Sequence, residues 1–221
     1  MSALTAVKII FGVLLGLLCL FVLLCLASAL VAGRPKRSGR RGADEEPLPG
    51  RVMPRPVRID LQRGPSCSGF SAAFVTRQLT GAPGGPPGAD GVALYQKLPK
   101  FLYGGVLPKH VVRVLEERGF RAEYRKGTPE ALKEAIAAGD GVILLLRTRL
   151  GRRWLHYVPA VGYEGDTFLL ADSLVENANC AGRGFNRRID AAELPAYWDT
   201  RRFYMPLHRN TYILVKKEKH L

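Results

Sequence analysis

Three residue types that nucleophilic catalysis requires occur in order along this chain, each beside a predicted helix or strand. Cys67 stands at the start of a predicted helix, His156 lies in an apolar strand-like run, and Asp172 follows a second such run. Acyl transfer by a thiol needs a thiolate, a neighbouring base and a group that orients the base. The trio supplies all three, so the sequence predicts thiol-dependent acyl transfer.

The residues before Cys67 predict a sharp start to its helix. Gly64, Pro65 and Ser66 end an extended segment, and apolar residues then recur at helical spacing over residues 67–79. A thiol in the first turn meets the positive end of the helix dipole, which favours the thiolate. The small residues at 68, 69 and 71–73 predict close packing of this helix against a sheet. Taken alone, a cysteine here is also compatible with a buried core thiol.

His156 and Asp172 fall on two runs that predict a β-hairpin. The runs cover residues 155–163 and 167–171, and a polar turn centred near Gly165 separates them. In a hairpin with that centre, position 172 lies diagonally beside position 156 on the same face. A carboxylate there can hold one tautomer of the imidazole. The alternatives are a core histidine and an aspartate that only forms a turn.

Gln62 is the predicted oxyanion donor. Gln62 lies five residues before Cys67, and its amide could donate a hydrogen bond to the oxyanion beside the backbone N–H of Cys67. A surface glutamine is the alternative. The other histidines, His110, His208 and His220, have no acidic residue in so regular a setting.

These motifs together resemble the papain-like cysteine peptidases related to the bacteriocin-leader peptidases. The resemblance rests on residues 62–74, 155–159 and 170–173, and it spans most of residues 57–216. It implies a papain-like α+β fold in which Cys67, His156 and Asp172 form the triad and Gln62 assists the oxyanion. One departure is Ser68, which stands between Cys67 and Gly69 where the best-known members have glycine directly after the nucleophile. The best-known members are also often fused to transporters, and no transporter domain is expected in this sequence. Cleavage of double-glycine leaders is therefore not expected to transfer, whereas the thiol chemistry is.

The order of predicted elements also favours an α+β domain. Helices are predicted at 67–79, 92–98, 108–118, 128–138 and 190–198, and strands at 141–146, 155–163, 167–171 and 211–216. Helices first and an antiparallel sheet later are typical of this class. The predicted divisions are a transmembrane helix or signal anchor (1–33), a basic Pro/Gly-rich flexible linker (34–56) and a papain-like domain (57–221).

An uncharged apolar run at residues 9–33 predicts a membrane helix. It exceeds the roughly 20 residues that span a bilayer and the ~7–15 of a signal-peptide core. Ala27, Ser28 and Ala29 resemble a signal cleavage site, which keeps a signal peptide as the alternative. Five basic residues follow the run and favour, by the positive-inside rule, a cytoplasmic globular domain; they are Arg34, Lys36, Arg37, Arg40 and Arg41. An extracytoplasmic domain is the alternative, because cleavage after Ala29 would export the chain together with these residues.

The net charge of +14 is compatible with three kinds of partner: nucleic acid, anionic lipid and acidic substrates. No aromatic residues interleave with the basic cluster as a base-stacking surface requires, which favours lipid over nucleic acid. No Cys/His cluster predicts a metal site, and no cofactor is predicted. Cys180 is predicted not to bond Cys67, because a disulfide would remove the nucleophile.

The combined hypothesis is a membrane-anchored thiol peptidase, or a related acyl transferase, that acts on peptide or protein substrates. The alternative is a catalytically silent papain-like domain that binds a peptide or a membrane partner. The oligomeric state and the cleavage specificity are left open.

Overall fold

A long apolar helix precedes the globular part of the protein. The structure, a computed structural model, describes residues 3–39, 46–149, 154–202 and 205–218. Helix α1 spans Ala3–Ala32, and its apolar side chains are exposed along most of its length. Within the described residues it is the one helix long and apolar enough to cross a membrane, a test that a signal sequence also passes.

One mixed sheet forms the centre of the globular part. Its strands in the described residues are β1 (Lys36–Arg37), β2 (Arg51–Val52), β3 (Phe120–Lys126), β4 (Gly141–Arg147), β5 (Leu155–Glu164), β6 (Thr167–Leu170), β7 (Arg187–Asp190) and β8 (Thr211–Lys217). The order is β1-β3-β8-β4-β5-β6-β7, and β2 pairs with β5 beside this path. The pairing of β1 with β3 is parallel, and the remaining strand pairs are antiparallel.

Helices cover both faces of this sheet. They are α2 (Cys67–Thr80), α3 (Ala89–Lys97), α4 (Pro108–Glu116), α5 (Pro129–Ala137) and α6 (Leu194–Trp198). Ile143 and Leu145 of β4 pack with α2, α3 and α4, whereas Leu144 and Leu146 pack with α5 and α6. Because side chains alternate along a strand, the continuous apolar run of β4 serves both layers. Each such buried side chain contributes roughly 1.5–3 kcal/mol.

Most predicted elements are present with small changes in their bounds. The four predicted strands correspond to β4, β5, β6 and β8, and the first four predicted helices correspond to α2–α5. The mixed α+β class is confirmed. Thr128 caps α5 by accepting a bond from the N–H of Ala131, as its hydroxyl before a proline predicts.

Four strands, β1, β2, β3 and β7, are not predicted from the sequence, and one predicted helix is too long. In β3 the buried Phe120, Ala122 and Tyr124 alternate with charged residues, so the strand lacks a continuous apolar run. The helix predicted at 190–198 begins only at Leu194, because Asp190 ends β7.

The segment predicted as a linker without regular structure is paired to the sheet at two places. β1 extends the sheet beside β3, and β2 pairs with the last residues of β5. Ser38 also bonds the hydroxyl of Tyr212 at 2.7 Å. The globular fold therefore takes in residues before position 57. The basic residues Arg40 and Arg41 of the predicted cluster, and acidic Asp44 and Glu45, lie outside the described residues.

Small residues let α2 pack closely, but not only against the sheet. Ser71 donates its hydroxyl to the carbonyl of Tyr157 in β5 at 2.8 Å. Gly69 instead faces α3: a Cβ built there would lie 2.6 Å from the backbone nitrogen of Tyr95. The two contacts fix both the depth and the rotation of the helix that begins at Cys67.

Candidate active site

Cys67 is the first residue of α2 and carries a free, half-buried thiol. Gly64 adopts a left-handed conformation (φ 67°) that turns the chain into the helix. The hydroxyl of Ser66 bonds back to the carbonyl of Arg63 at 3.0 Å, so it does not cap the first turn. The thiol thus stands at the helix start that the sequence predicts, and this start has no side-chain cap. Cys180 is also a free cysteine, so no disulfide joins the two.

His156 lies near the start of β5 and contacts both other members of the predicted trio. Its Nε2 bonds Oδ1 of Asp172 at 2.7 Å, and the ring is 2% exposed. The thiol of Cys67 lies close enough to the ring to raise the pKa of His156. Because Nε2 is occupied by the carboxylate, Nδ1 is the nitrogen left for sulfur. The structure therefore brings Cys67, His156 and Asp172 together in one chain of contacts.

The protonation of His156 follows from those two contacts. Burial alone lowers the pKa of His156, but its hydrogen bonds and the charges of Asp172 and Cys67 outweigh burial and raise the pKa to about 9. An imidazolium held between a carboxylate and a thiol is the arrangement that favours a thiolate. The site is therefore built to hold a charged imidazole at neutral pH.

Asp172 is completely buried, and both of its carboxylate oxygens are bonded. Oδ1 also accepts the N–H of Leu174 at 2.9 Å, and Oδ2 accepts from Arg187 at 2.9 Å and Asn177 at 3.0 Å. Burial alone raises the pKa of Asp172, but the bond to His156, the N–H of Leu174 and the charge of Arg187 hold that pKa below its usual range. The carboxylate is therefore ionised and cannot rotate freely.

The backbone of Asp172 is held as firmly as its side chain. Asn186 accepts the N–H of Asp172 and donates to its carbonyl, both at 2.8 Å. This two-way amide bond replaces strand pairing just after β6 ends. It fixes the backbone of Asp172, whose side chain bonds His156.

The predicted hairpin register accounts for the approach of His156 and Asp172. Glu164 pairs with Thr167 across the turn, and Ala160 pairs with Leu170 after an irregularity in β5. The pairing of Ala160 with Leu170, on the side of the irregularity toward His156, has the register predicted for a hairpin centred near Gly165. A β-bulge changes the register by one residue, so this irregularity decides which strand positions face Asp172.

Gln62 is linked to the segment that carries Asp172. Its backbone N–H donates to the carbonyl of Ser173 at 2.9 Å, and its Oε1 accepts the hydroxyl of Ser173 at 2.6 Å. Its Nε2 donates to the carbonyl of Gly64 at 2.7 Å. An amide nitrogen carries two hydrogens, so one of them is left for another acceptor. The structure places Gln62 between the start of α2 and the Asp172 segment.

The other described histidines have separate environments. His208 is buried and bonds the hydroxyl of Tyr124 at 2.5 Å and that of Ser28 at 3.2 Å. His110 lies on α4, where burial, Lys109 and Arg113 lower its pKa. His220 lies outside the described residues. In the described ranges no group of three His, Cys, Asp or Glu side chains is arranged to hold a metal ion.

Arg187, Asn177 and Asn186 are missing from the residues predicted from the sequence. One signal for Arg187 was present: it shares the inward face of β7 with Ile189. An arginine at such a position requires a buried anion. The two asparagines carry no comparable signal, because nothing in their spacing connects them to Asp172.

Ser68, the departure from the resembling family, is buried beside the nucleophile. It is 1% exposed, and its hydroxyl has no hydrogen-bond partner within the described structure. Tyr95 and Tyr157 belong to the same core cluster as Cys67. Burial and then the charge of Cys67 raise the pKa of Tyr95, and burial, Tyr124 and Cys67 raise the pKa of Tyr157. The thiol therefore faces apolar and aromatic side chains on the protein side.

Comparison with known proteins gives likenesses to solved structures only. No protein-family model matches the chain, and no curated protein matches it. A similar solved structure is the peptidase domain of Streptococcus ComA, a bi-functional ABC transporter involved in a quorum-sensing pathway. The TM-score is 0.49 at 13% identity, over 72% of this chain and 97% of the other. A likeness of this size does not bear on activity.

Proposed function

We propose that this protein is a thiol peptidase, or a related acyl transferase, that acts on peptide substrates. The observation that carries the proposal is the contact chain from Cys67 through His156 to Asp172, with the imidazole and the carboxylate almost completely buried. A buried ionised pair costs free energy unless its geometry is good and its remaining atoms are bonded. Here the free thiol of Cys67 lies on the side of His156 away from Asp172.

Each residue has a distinct role in the proposed reaction. The sulfur of Cys67 attacks the substrate carbonyl carbon, and the protonated Nδ1 of His156 gives its proton to the leaving amine. Water then attacks the thioester while His156 takes its proton, and the acid product leaves. An acyl transferase differs only in the second nucleophile.

Asp172 and Gln62 support those steps without forming bonds to the substrate carbon. Asp172 holds Nε2–H of His156, so that Nδ1 always faces sulfur. The remaining amide hydrogen of Gln62 and the N–H of Cys67 supply the oxyanion donors. Loss of one such donor typically slows the reaction ~10²–10³-fold.

We further propose that α1 remains attached and anchors the protein in a membrane. Ser28, the middle residue of the predicted cleavage motif, is 2% exposed and bonds Nε2 of His208. Cleavage after Ala29 would remove that partner from a buried histidine. A cytoplasmic globular domain is proposed on the basis of the basic residues that follow α1.

A peptide-based electrophile tests the proposal on the full chain in detergent. We expect Cys67 to be labelled much faster than Cys180, and the preference to vanish on denaturation. His156→Asn should slow the labelling of Cys67, whereas Cys180→Ser, the matched thiol control, should leave it unchanged. Equal labelling of the two thiols in the folded protein would contradict the peptidase proposal and favour a domain that only binds peptides.

A further inference from the structure

The last turns of α1 are docked on the globular domain. Ser28 bonds His208, and Nζ of Lys109 donates to the carbonyl of Leu30 at 3.0 Å. Ala32 is 1% exposed and packs in a cluster with Leu107 and Met205. The apolar helix therefore leaves the domain at a defined place, beside the start of α4.

Three large side chains stand uncovered near this place and form the aromatic patch. Leu102 is 61% exposed, Tyr103 80% and Trp154 59%. The rings of Tyr103 and Trp154 meet edge to face, with their centroids 5.8 Å apart. At these exposures the side chains protrude from the surface, whereas a peptide groove would enclose its lining residues.

The aromatic patch lies between the end of α1 and the candidate active site. Leu155, next to Trp154, packs against the cluster that contains Ala32 and also against the core beside Cys67. On the other side, a Cβ at Gly104 would lie 2.6 Å from Cγ of Pro65, two residues before Cys67. The patch thus adjoins the anchor and the nucleophile at once.

The loop that presents Tyr103 is held in shape. The hydroxyl of Tyr95 donates to the carbonyl of Gly104 at 2.7 Å, and the N–H of Phe101 donates to Gly105 at 2.7 Å. Tyr103 itself has a left-handed backbone (φ 55°), which costs a residue with a Cβ about 1 kcal/mol or more. The fold accepts this strain while leaving the tyrosine ring in solvent.

We propose that the aromatic patch inserts into the headgroup layer of the lipid bilayer that holds α1. Tyrosine and tryptophan are the side chains that favour this layer, because one end is apolar and the other forms hydrogen bonds. The exposed apolar residues of α1 end where the helix docks, and the patch stands near that place because Trp154 adjoins Leu155, which packs against the Ala32 cluster. Exposed Lys100 and Lys109 flank the loop in sequence and suit anionic headgroups.

Insertion of the patch would hold Cys67 close to the membrane surface, because Gly104 of the patch loop lies against Pro65, two residues before Cys67. This consequence rests on the proposed peptidase function. The substrates would then be polypeptide segments that lie close to the bilayer, such as the flank of a membrane-inserted precursor. A substrate in free solution would have to reach Cys67 past the lipid headgroups.

Tryptophan emission tests the insertion, because the chain has two tryptophans and the other, Trp198, is fully buried. The full chain is placed in vesicles of phosphatidylcholine and phosphatidylglycerol, with or without bromine near the headgroup end of the acyl chains. We expect brominated lipid to quench part of the emission and aqueous iodide to quench little. Trp154→Phe should abolish the lipid quenching, which assigns it to Trp154.

A double variant separates insertion of the patch from mere proximity to α1. Leu102→Ser with Tyr103→Ser should remove the lipid quenching of Trp154, while alkaline extraction shows that α1 stays in the membrane. Met53→Ser is the control: Met53 is 44% exposed and follows Val52, which pairs with Tyr163 at the far end of β5. That end lies about 30 Å along the strand from Trp154. This control should keep the quenching.

Three results would overturn the proposal. They are iodide quenching of Trp154 without lipid quenching, lipid quenching that survives the double variant, and an emission change that appears only when peptide is added. Labelling of Cys67 is measured in the same vesicles. Lipid quenching without labelling leaves the insertion standing and removes the peptidase function, and labelling without lipid quenching does the reverse.

Discussion

Asp172 shares its carboxylate between His156 and Arg187. Oδ1 bonds Nε2 of His156 at 2.7 Å, and Oδ2 bonds Nη1 of Arg187 at 2.9 Å. The guanidinium of Arg187 also lies 5.4 Å from the centre of the Tyr197 ring. Because arginine stays protonated in proteins, Arg187 keeps Asp172 ionised. It also partly neutralises the carboxylate that faces His156.

Arg187→Met should weaken both the fold and the reactivity of the thiol. The change leaves the buried carboxylate without its permanent cation, which typically costs ~3–5 kcal/mol. Arg188→Met is the matched control, since Arg188 is exposed and pairs with Glu164; a surface pair is worth ~0–1 kcal/mol. Denaturant unfolding and the labelling rate of Cys67 measure the two effects. Equal behaviour of the two variants would show that Arg187 does not support Asp172.

His156 should titrate with a pKa of about 9, and both Asp172→Asn and Cys67→Ala should lower it. Burial alone lowers the pKa of His156, so the elevated value depends on those partners. The stability that the protonated ring contributes is complete below the unfolded pKa of ~6.5 and is lost as pH rises through about 9. Imidazole ¹⁵N shifts measure the pKa, with Cys180→Ala as control. An unchanged value in Asp172→Asn would contradict the observed pair.

Gly69→Ala should destabilise the protein by roughly 1–3 kcal/mol through overpacking. The added Cβ would meet backbone atoms of α3, including the nitrogen of Tyr95 at 2.6 Å, and backbone cannot move aside as a side chain can. α2 would shift, so Cys67 should also react more slowly. Gly50→Ala is the control, because nothing lies within 4 Å of the added atom. Denaturant unfolding measures the free energy of unfolding of both variants. Equal values would contradict the prediction and show that α2 and α3 move apart at little cost in free energy.

Acid should weaken the protein between pH 6.5 and 4 through His208. Burial lowers the pKa of His208 to about 4. The unfolded chain therefore binds the proton first, and stability falls as pH drops through this window. His208→Gln should flatten the thermal midpoints measured across it, whereas His110→Gln reports the smaller share of His110, whose pKa is also lowered. A slope that His208→Gln leaves intact would assign the acid sensitivity elsewhere.

Protease added to sealed cells should leave the globular domain intact. Arg34, Lys36 and Arg37 follow α1 directly, and moving such a flank across a membrane is disfavoured. A cytoplasmic location also suits the free thiol of Cys67. Immunoblotting before and after permeabilisation is the measurement, with a known outer-surface protein as control for protease activity. Digestion in sealed cells would reverse the orientation without changing the chemistry of the site.

Elements with one dominant periodicity could be predicted from the sequence, and elements with mixed signals could not. β4, β5 and β8 are apolar runs bounded by turn residues, and α5 has a threonine cap and a proline in its first turn. β3 alternates charged and apolar residues in a short span, so neither run length nor composition marks it. β1 and β2 have only two residues each, and they exist because a neighbouring strand offers free backbone groups.

In the candidate site, the main chemical groups could be predicted from the sequence, whereas the contacts that support them could not. The thiol, imidazole, carboxylate and amide of Cys67, His156, Asp172 and Gln62 were predicted from residue type, order and hairpin register. The bonds from Arg187 and Asn177 to Asp172 and the link from Gln62 to Ser173 were not. They depend on how a loop returns after β6, which no local pattern specifies.

What the sequence determined by itself is the apolar length of α1, the identity and order of the chemical groups, and the hairpin that carries two of them, since each depends on neighbours within a few residues. Only the tertiary structure decided the surroundings of Asp172 and the docking of α1. Ser28 and His208 are 180 residues apart in the chain and meet within 3.2 Å. Such contacts form because burying the surrounding apolar surface offsets the entropy of closing a long loop, and burial is a property of the whole fold.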